Sequence, residues 1–251
     1  MKFINSFLQK LINLYYKFCL KKNSELYINL QNYLNKTEST GCSFSDYGIL
    51  YKTIRLWKPV EVLECGTGVS TLIIAHALMQ NKIETGQQGR VTSMEECEPW
   101  FNMSQNLLPD TYKNYVDFRL SSTIEDQYSI FRGIRYKDVP KRDYDFVFVD
   151  GPNYISPNDG ASTFDFDYIN ILRHSNRPVG CLIDKRVSTV FVLQQLLGLE
   201  KVKYNAILGL GIIRPLTCKG LGNIHNTISS LNFKKSFRIF GNSKLFVSSN
   251  Q

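Results

Sequence analysis

Acidic residues are missing from both ends of this 251-residue chain. All 22 lie between Glu25 and Glu200 beside 17 lysines and arginines, whereas residues 1–22 and 201–251 together hold 13 bases and no acid. The net charge of +8 thus hides an acidic middle between two basic ends. Such ends favour an anionic counterpart, namely a membrane surface, a phosphorylated or acidic glycan, or nucleic acid, with a merely solvated basic face as the alternative. Cysteine is present without pattern: Cys19, Cys42, Cys65, Cys97, Cys181 and Cys218 form no C-x-x-C pair and no metal-ligand spacing. That excludes a structural zinc motif and reads as reduced thiols of a cytoplasmic protein. A long apolar run is lacking too. The first 22 residues are interrupted by Asn5, Gln9, Lys10 and Asn13, which excludes a continuous membrane span and a signal peptide. No internal repeat or low-complexity tract occurs, and 251 residues with 43% hydrophobic content suffice for a full core.

What is there begins at residue 60. Val60-Glu-Val-Leu-Glu-Cys-Gly-Thr-Gly-Val-Ser70 reads as an apolar strand that ends in an acid and opens through a Gly-x-Gly turn into a helix. Gly66 and Gly68 leave no Cβ in the way, so main-chain N–H groups at a helix N-terminus can approach a nucleotide closely. The dinucleotide fingerprint G-x-G-x-x-G asks for a third glycine, and Thr71 stands there instead. A nicotinamide-binding oxidoreductase is therefore the weaker alternative. The rule of a strand ending in an acid recurs at Glu95, 27 residues after Gly68, at Asp150 in Tyr144-Asp-Phe-Val-Phe-Val-Asp-Gly-Pro152, and at Asp184-Lys185 after Val179. Ligands of open α/β sheets sit beyond the carboxyl ends of the strands, so Glu64, Glu95, Asp150 and Asp184 are expected around one crevice.

Glu64-x-Gly66-x-Gly68-x-Ser70 resembles motif I of the class I S-adenosylmethionine-dependent methyltransferases, and residues 43–200 follow that family in motif order. The small bacterial-type O-methyltransferases are most similar, with the catechol O-methyltransferases more distant. The resemblance implies a doubly wound, mostly parallel seven-stranded α/β sheet with an antiparallel final strand and helices on both faces. It implies S-adenosylmethionine as cofactor, held by Glu64, Gly66, Thr67, Gly68, Ser70, Glu95 and Asp150, with Ser121 and Ser122 toward adenine. Trp100 and Phe101 stack on the adenine ring or pack in the core. Asp150 is the expected proton acceptor or orienting group, aided by Asp184 and Lys185. In the catechol-type relatives an Asp-Asn pair after strand five helps hold a divalent metal; here Asp150 and Asp184 match and Lys185 replaces the asparagine, leaving metal dependence open. The strand-four sequence Asp150-Gly-Pro-Asn153 lacks the Asn/Asp-Pro-Pro-aromatic pattern of amino-methylating enzymes, which argues against nucleic acid as acceptor. A non-catalytic member of the fold is a further alternative.

Two segments exceed what connectors need, residues 123–142 with five bases and residues 151–168 after the strand-four acid. The second is expected to roof the crevice and to offer Asn153, Tyr154 and Asp159 to a small-molecule or glycan acceptor, including an anionic one. Of the histidines His76, His174 and His225, His174 is expected nearest the crevice. The organisation reads as a basic amphipathic helical extension over 1–42 and the cofactor-binding domain over 43–251. Phe3, Ile4, Phe7, Leu8, Leu11, Ile12, Leu14, Tyr15, Phe18 and Cys19 recur at helical spacing with lysines between them. That helix covers the cofactor domain, forms a homodimer, or lies on a membrane surface. Residues 24–34 continue helical, Gly41–Asp46 is a hinged lid or a plain connector, and Ser45-Asp46 caps a helix ending before Pro59. Helices over 70–82, 98–108 and 187–198 alternate with the strands, including Val116–Leu120. Lys201–Leu208, Gly211–Arg214 and Lys244–Ser248 read as the last strands, with a long loop over 215–235.

Overall fold

A computed structural model of the protein describes residues 2–37 and 42–217. Three helices, α1 (Lys2–Lys21), α2 (Ser24–Leu34) and α3 (Phe44–Trp57), precede the first strand, β1 (Glu61–Cys65). The cap of α3 is Ser43, two residues earlier than expected, and its N–H donates to the Asp46 carboxylate at 2.7 Å. Then follow α4 (Val69–Thr85), β2 (Arg90–Glu95), α5 (Glu98–Leu107), α6 (Asp110–Lys113), β3 (Val116–Leu120), β4 (Thr123–Tyr128), β5 (Phe131–Tyr136), β6 (Phe146–Val149), α7 (Asp167–His174), β7 (Val179–Asp184), α8 (Val187–Leu197), β8 (Val202–Asn205) and β9 (Leu210–Leu216). The strand expected over Lys244–Ser248 lies outside the described residues, as do most of the 215–235 loop, Cys218 and His225.

The main sheet has seven strands in the order β3-β2-β1-β6-β7-β9-β8. β3, β2, β1, β6 and β7 pair in parallel, and β9 runs antiparallel to both β7 and β8. The expected doubly wound α/β fold is thus the observed one. Its chemistry is legible strand by strand: Val62, Phe146, Phe148 and Leu182 face a core built with α1–α4, while Leu63, Cys65, Val147, Val149, Cys181 and Ile183 face a second core under α7 and α8. Apolar side chains on both faces are what a buried parallel strand requires. The five described cysteines are free thiols.

The segment 123–142 is not a loop over most of its length. Residues 123–128 and 131–136 form an antiparallel ribbon of their own, joined through Ser129 at φ 55°. Its charged side chains staple it: Arg135 pairs with Asp126 across the ribbon at 2.7 Å, and Arg142 binds Asp117 at 2.6 Å.

Candidate functional site

The order of strands in the sheet reverses between the parallel neighbours β1 and β6, and the crevice at their carboxyl ends is where such sheets bind ligands. There the turns after β1 and β6 touch backbone to backbone. Gly66 sits at φ +91°, and a Cβ on it would come within 3.1 Å of the Asp150 carbonyl carbon. A Cβ on Gly151 would come within 2.8 Å of the Gly66 Cα. Both glycines are therefore demanded by the fold. Gly68 is not: its backbone is extended and a Cβ would meet nothing within 4 Å. Open space in front of a glycine that the fold does not need is what close approach of a ligand to the main chain requires.

Glu64 ends β1 but does not face that space. It is fully buried, its Oε2 accepting from the hydroxyls of Thr71 and Ser93, each at 2.6 Å, while Oε1 makes no hydrogen bond. Burial raises its pKa to about 7, opposed by the Ser70, Ser93 and Thr71 hydroxyls. Thr71 also accepts the Gly68 N–H at 3.1 Å, so Glu64 acts through Thr71 to shape the turn. Glu64 and the buried Ser70 thus stand directly behind the turn, with Oε1 of Glu64 unengaged. Glu95 ends β2 and accepts the N–H groups of Thr67 at 3.2 Å, Glu96 at 3.1 Å and Cys97 at 2.9 Å. Burial raises its pKa despite these donors. Ser121 is buried, donating to the Ser122 carbonyl and accepting the Asp138 N–H, which clamps the foot of the β4–β5 ribbon. Ser122 is exposed. Trp100 is exposed, and Phe101 packs edge-on against Phe118.

Asp150 and Asp184 do converge, and a residue absent from the expected set joins them. The Cys42 thiol lies 3.4 Å from Asp150 Oδ2 and 3.1 Å from Asp184 Oδ2. Asp184 is buried with Oδ1 unpaired, and its pKa is pushed up to about 7 by burial and by the Asp46 and Asp150 charges. Asp150 is raised as well, burial outweighing Arg186, Cys42 and Lys185. Lys185, at φ 53°, sends its ammonium to Asp46 at 3.1 Å and stands 4.0 Å from Asp184. Burial pulls its pKa down, but the Asp184 and Asp46 carboxylates more than offset this, so it is raised.

Arg186, also unforeseen, binds the carbonyls of Pro152 and Asp150 and the carboxylate of Asp165, with its guanidinium 5.3 Å from the Tyr154 ring centroid. Asp165 and Asp167 are fully buried; Asp165 accepts from Thr189 at 2.6 Å and Asp167 accepts the Tyr136 N–H. The segment 151–168 lies beside the crevice through Glu96, which accepts the Asn153 N–H at 2.9 Å and the Tyr136 hydroxyl at 2.7 Å. Asn153 and Tyr154 line a cleft of about 470 Å³ with Glu96, Ile155, Lys185 and Arg186. Asp159, expected at the acceptor, is outside that lining; it is exposed and pairs with Arg132 at 2.5 Å. His174 is likewise remote, exposed at the end of α7 and lining a separate cavity with Lys137, Lys141 and Arg142. His76 is buried between Asn23 and Tyr112, and burial lowers its pKa to about 4.

A divalent ion is tested by the donors: Cys42, Asp150 and Asp184 bring one ligand atom each within 4.8 Å of one another. Two carboxylates and a thiol in that space fit a three-ligand site, with Lys185 contributing a fixed positive charge at its edge.

No family model matches the sequence, and no curated protein matches it. Among solved structures, the O-methyltransferase of Bacillus cereus in complex with SAH is 16% identical over 82% of this chain and 78% of that one, with a TM-score of 0.45. A methyltransferase-like protein from Silicibacter pomeroyi is 16% identical over 78% and 93%, at 0.43, and the O-methyltransferase TomG of Streptomyces achromogenes, in complex with SAM, 16% over 80% and 75%, at 0.43.

Proposed function

We propose that the chain is an S-adenosylmethionine-dependent methyltransferase of the small bacterial O-methyltransferase type, acting on a hydroxyl of a small molecule or glycan. The observation that carries the reading is the crevice between β1 and β6, where an unobstructed Gly68 turn, the Glu95 carboxylate and the paired Asp150 and Asp184 carboxylates lie along the carboxyl ends of adjacent strands. The bound cofactor supplies an electrophilic methyl group on sulfur. The main chain of Thr67 and Gly68 and the carboxylate of Glu95 would hold its nucleoside and amino-acid parts. Asp150 would orient the acceptor hydroxyl and take its proton, and a carboxylate raised by burial suits that task at neutral pH. The Cys42 thiol marks the spot, since it is a donor lying on the same two carboxylates an acceptor hydroxyl would use. Lys185 holds Asp184 and stabilises negative charge developing on the acceptor oxygen. If a divalent ion takes part, Cys42, Asp150 and Asp184 hold it and it lowers the pKa of the hydroxyl; chelation followed by return of single metals decides this. Tyr154 and Asn153 face the acceptor from the cleft.

Thermal unfolding with S-adenosylmethionine, S-adenosylhomocysteine and NAD tests the class. At ligand about a hundredfold above Kd, stabilisation of about 2.7 kcal/mol is expected for the first two and none for NAD. Stabilisation by NAD alone would move the chain to the oxidoreductases.

A further inference from the structure

We propose that the outer face of α1 docks on an anionic lipid surface. One side of this helix is committed to the protein: Asn13 accepts the Ser45 N–H at 3.0 Å, the Tyr16 ring lies against Gly48, and Leu20 is buried. The opposite side carries Phe7, Leu8, Leu11, Leu14, Tyr15 and Phe18, between 37 and 62% exposed. At 3.6 residues per turn these six fall in one sector of roughly 120°. Lys10, Lys17 and Lys21 run along one border of that sector, and Lys22 sits over the Phe18 ring at 5.4 Å.

An apolar stripe that broad needs a cover, and charge selects which. No acid precedes Glu25, so a second copy packing its α1 on this one would bring lysines to lysines with no acid on either helix to neutralise them. Residues 218–251 carry five bases and no acid, and as a cover they would meet the same repulsion. An anionic bilayer supplies both complements at once, acyl chains for the aromatic and leucine side chains and headgroups for the lysines, whose stems reach along the apolar face. The 20-residue helix is about 30 Å long and would lie flat. Among the described residues no helix is long and apolar enough to cross a membrane, so the contact is to the surface.

Vesicle flotation of the full chain tests this, with phosphatidylcholine alone against phosphatidylcholine containing about one-third phosphatidylserine. The chain should float with the anionic vesicles about tenfold more tightly than with the neutral ones, and lose most of that binding when salt is raised from about 0.1 to about 0.5 M. Leu14→Glu with Phe18→Glu should weaken binding at least about tenfold while the unfolding temperature, which these exposed positions do not set, stays within about 2 °C. Three results would overturn the proposal: equal binding to both vesicle types, a lipid-indifferent dimer that the double variant dissociates, or a monomer that binds neither vesicle, which would mean that the face is covered from within the chain.

Discussion

Asp150 and Gly68 make separable contributions to the crevice, and single substitutions can separate them. Asp150→Asn keeps the shape and one acceptor oxygen but cannot take a proton, so cofactor binding should persist while turnover falls by about 10²–10⁴-fold; calorimetry and a methyl-transfer assay read the two independently. Gly68→Ala should leave stability within about 0.5 kcal/mol, because a Cβ meets nothing, yet weaken S-adenosylmethionine binding by about tenfold or more. Gly66→Ala should instead cost about 1–3 kcal/mol, being both left-handed and pressed on Asp150. The glycines and strand-end acids were legible in the sequence because an apolar run closing on an acid is a local pattern. What that pattern could not say is which way a side chain points. Glu64 and Asp150 end neighbouring strands alike, yet one turns behind the Gly-x-Gly turn and the other stands beside Cys42. Cys42 itself was invisible, since 108 residues separate it from Asp150 and a lone cysteine carries no spacing signal.

Among the elements, those with strong periodicity matched their expected positions within a few residues, whereas the β4–β5 ribbon was missed. Its turn uses Ser129-Ile130 with φ 55° at the serine, where Asn-Gly or Asp-Gly would have announced a hairpin. Its alternation is also masked by ion-paired arginines and acids. The exits of β6 and β7 are joined by Arg186, which the sequence offered only as one more base after Asp184. Arg186→Met should cost about 3–5 kcal/mol, since it frees two carbonyls and leaves Asp165 buried without its cation. Adding Asp165→Asn should recover part of the loss in denaturant unfolding, because the uncompensated charge is then gone.

Across the whole molecule, the buried acids make stability depend on pH in a definite sense. Glu64 rises from an ordinary 4.5 to about 7 on folding, so the native state binds its proton more tightly than the unfolded chain does. Its contribution is neutral below pH 4.5 and becomes increasingly unfavourable as pH climbs to about 7. Glu64→Gln should therefore match the parent in urea unfolding near pH 4 and exceed it by about 3 kcal/mol near pH 8. An unchanged difference between the two pH values would remove Glu64 as a source of the pH dependence.

The contact of α1 with α3 gives the molecule a short line of force. Asn13 and Tyr16 seat the outer helix on the first turn of α3, and that turn carries Asp46 to Lys185, with Cys42 just before it on the two carboxylates. The surface helix is thus separated from the Cys42, Asp150 and Asp184 side chains by the start of α3 alone, each step a direct contact.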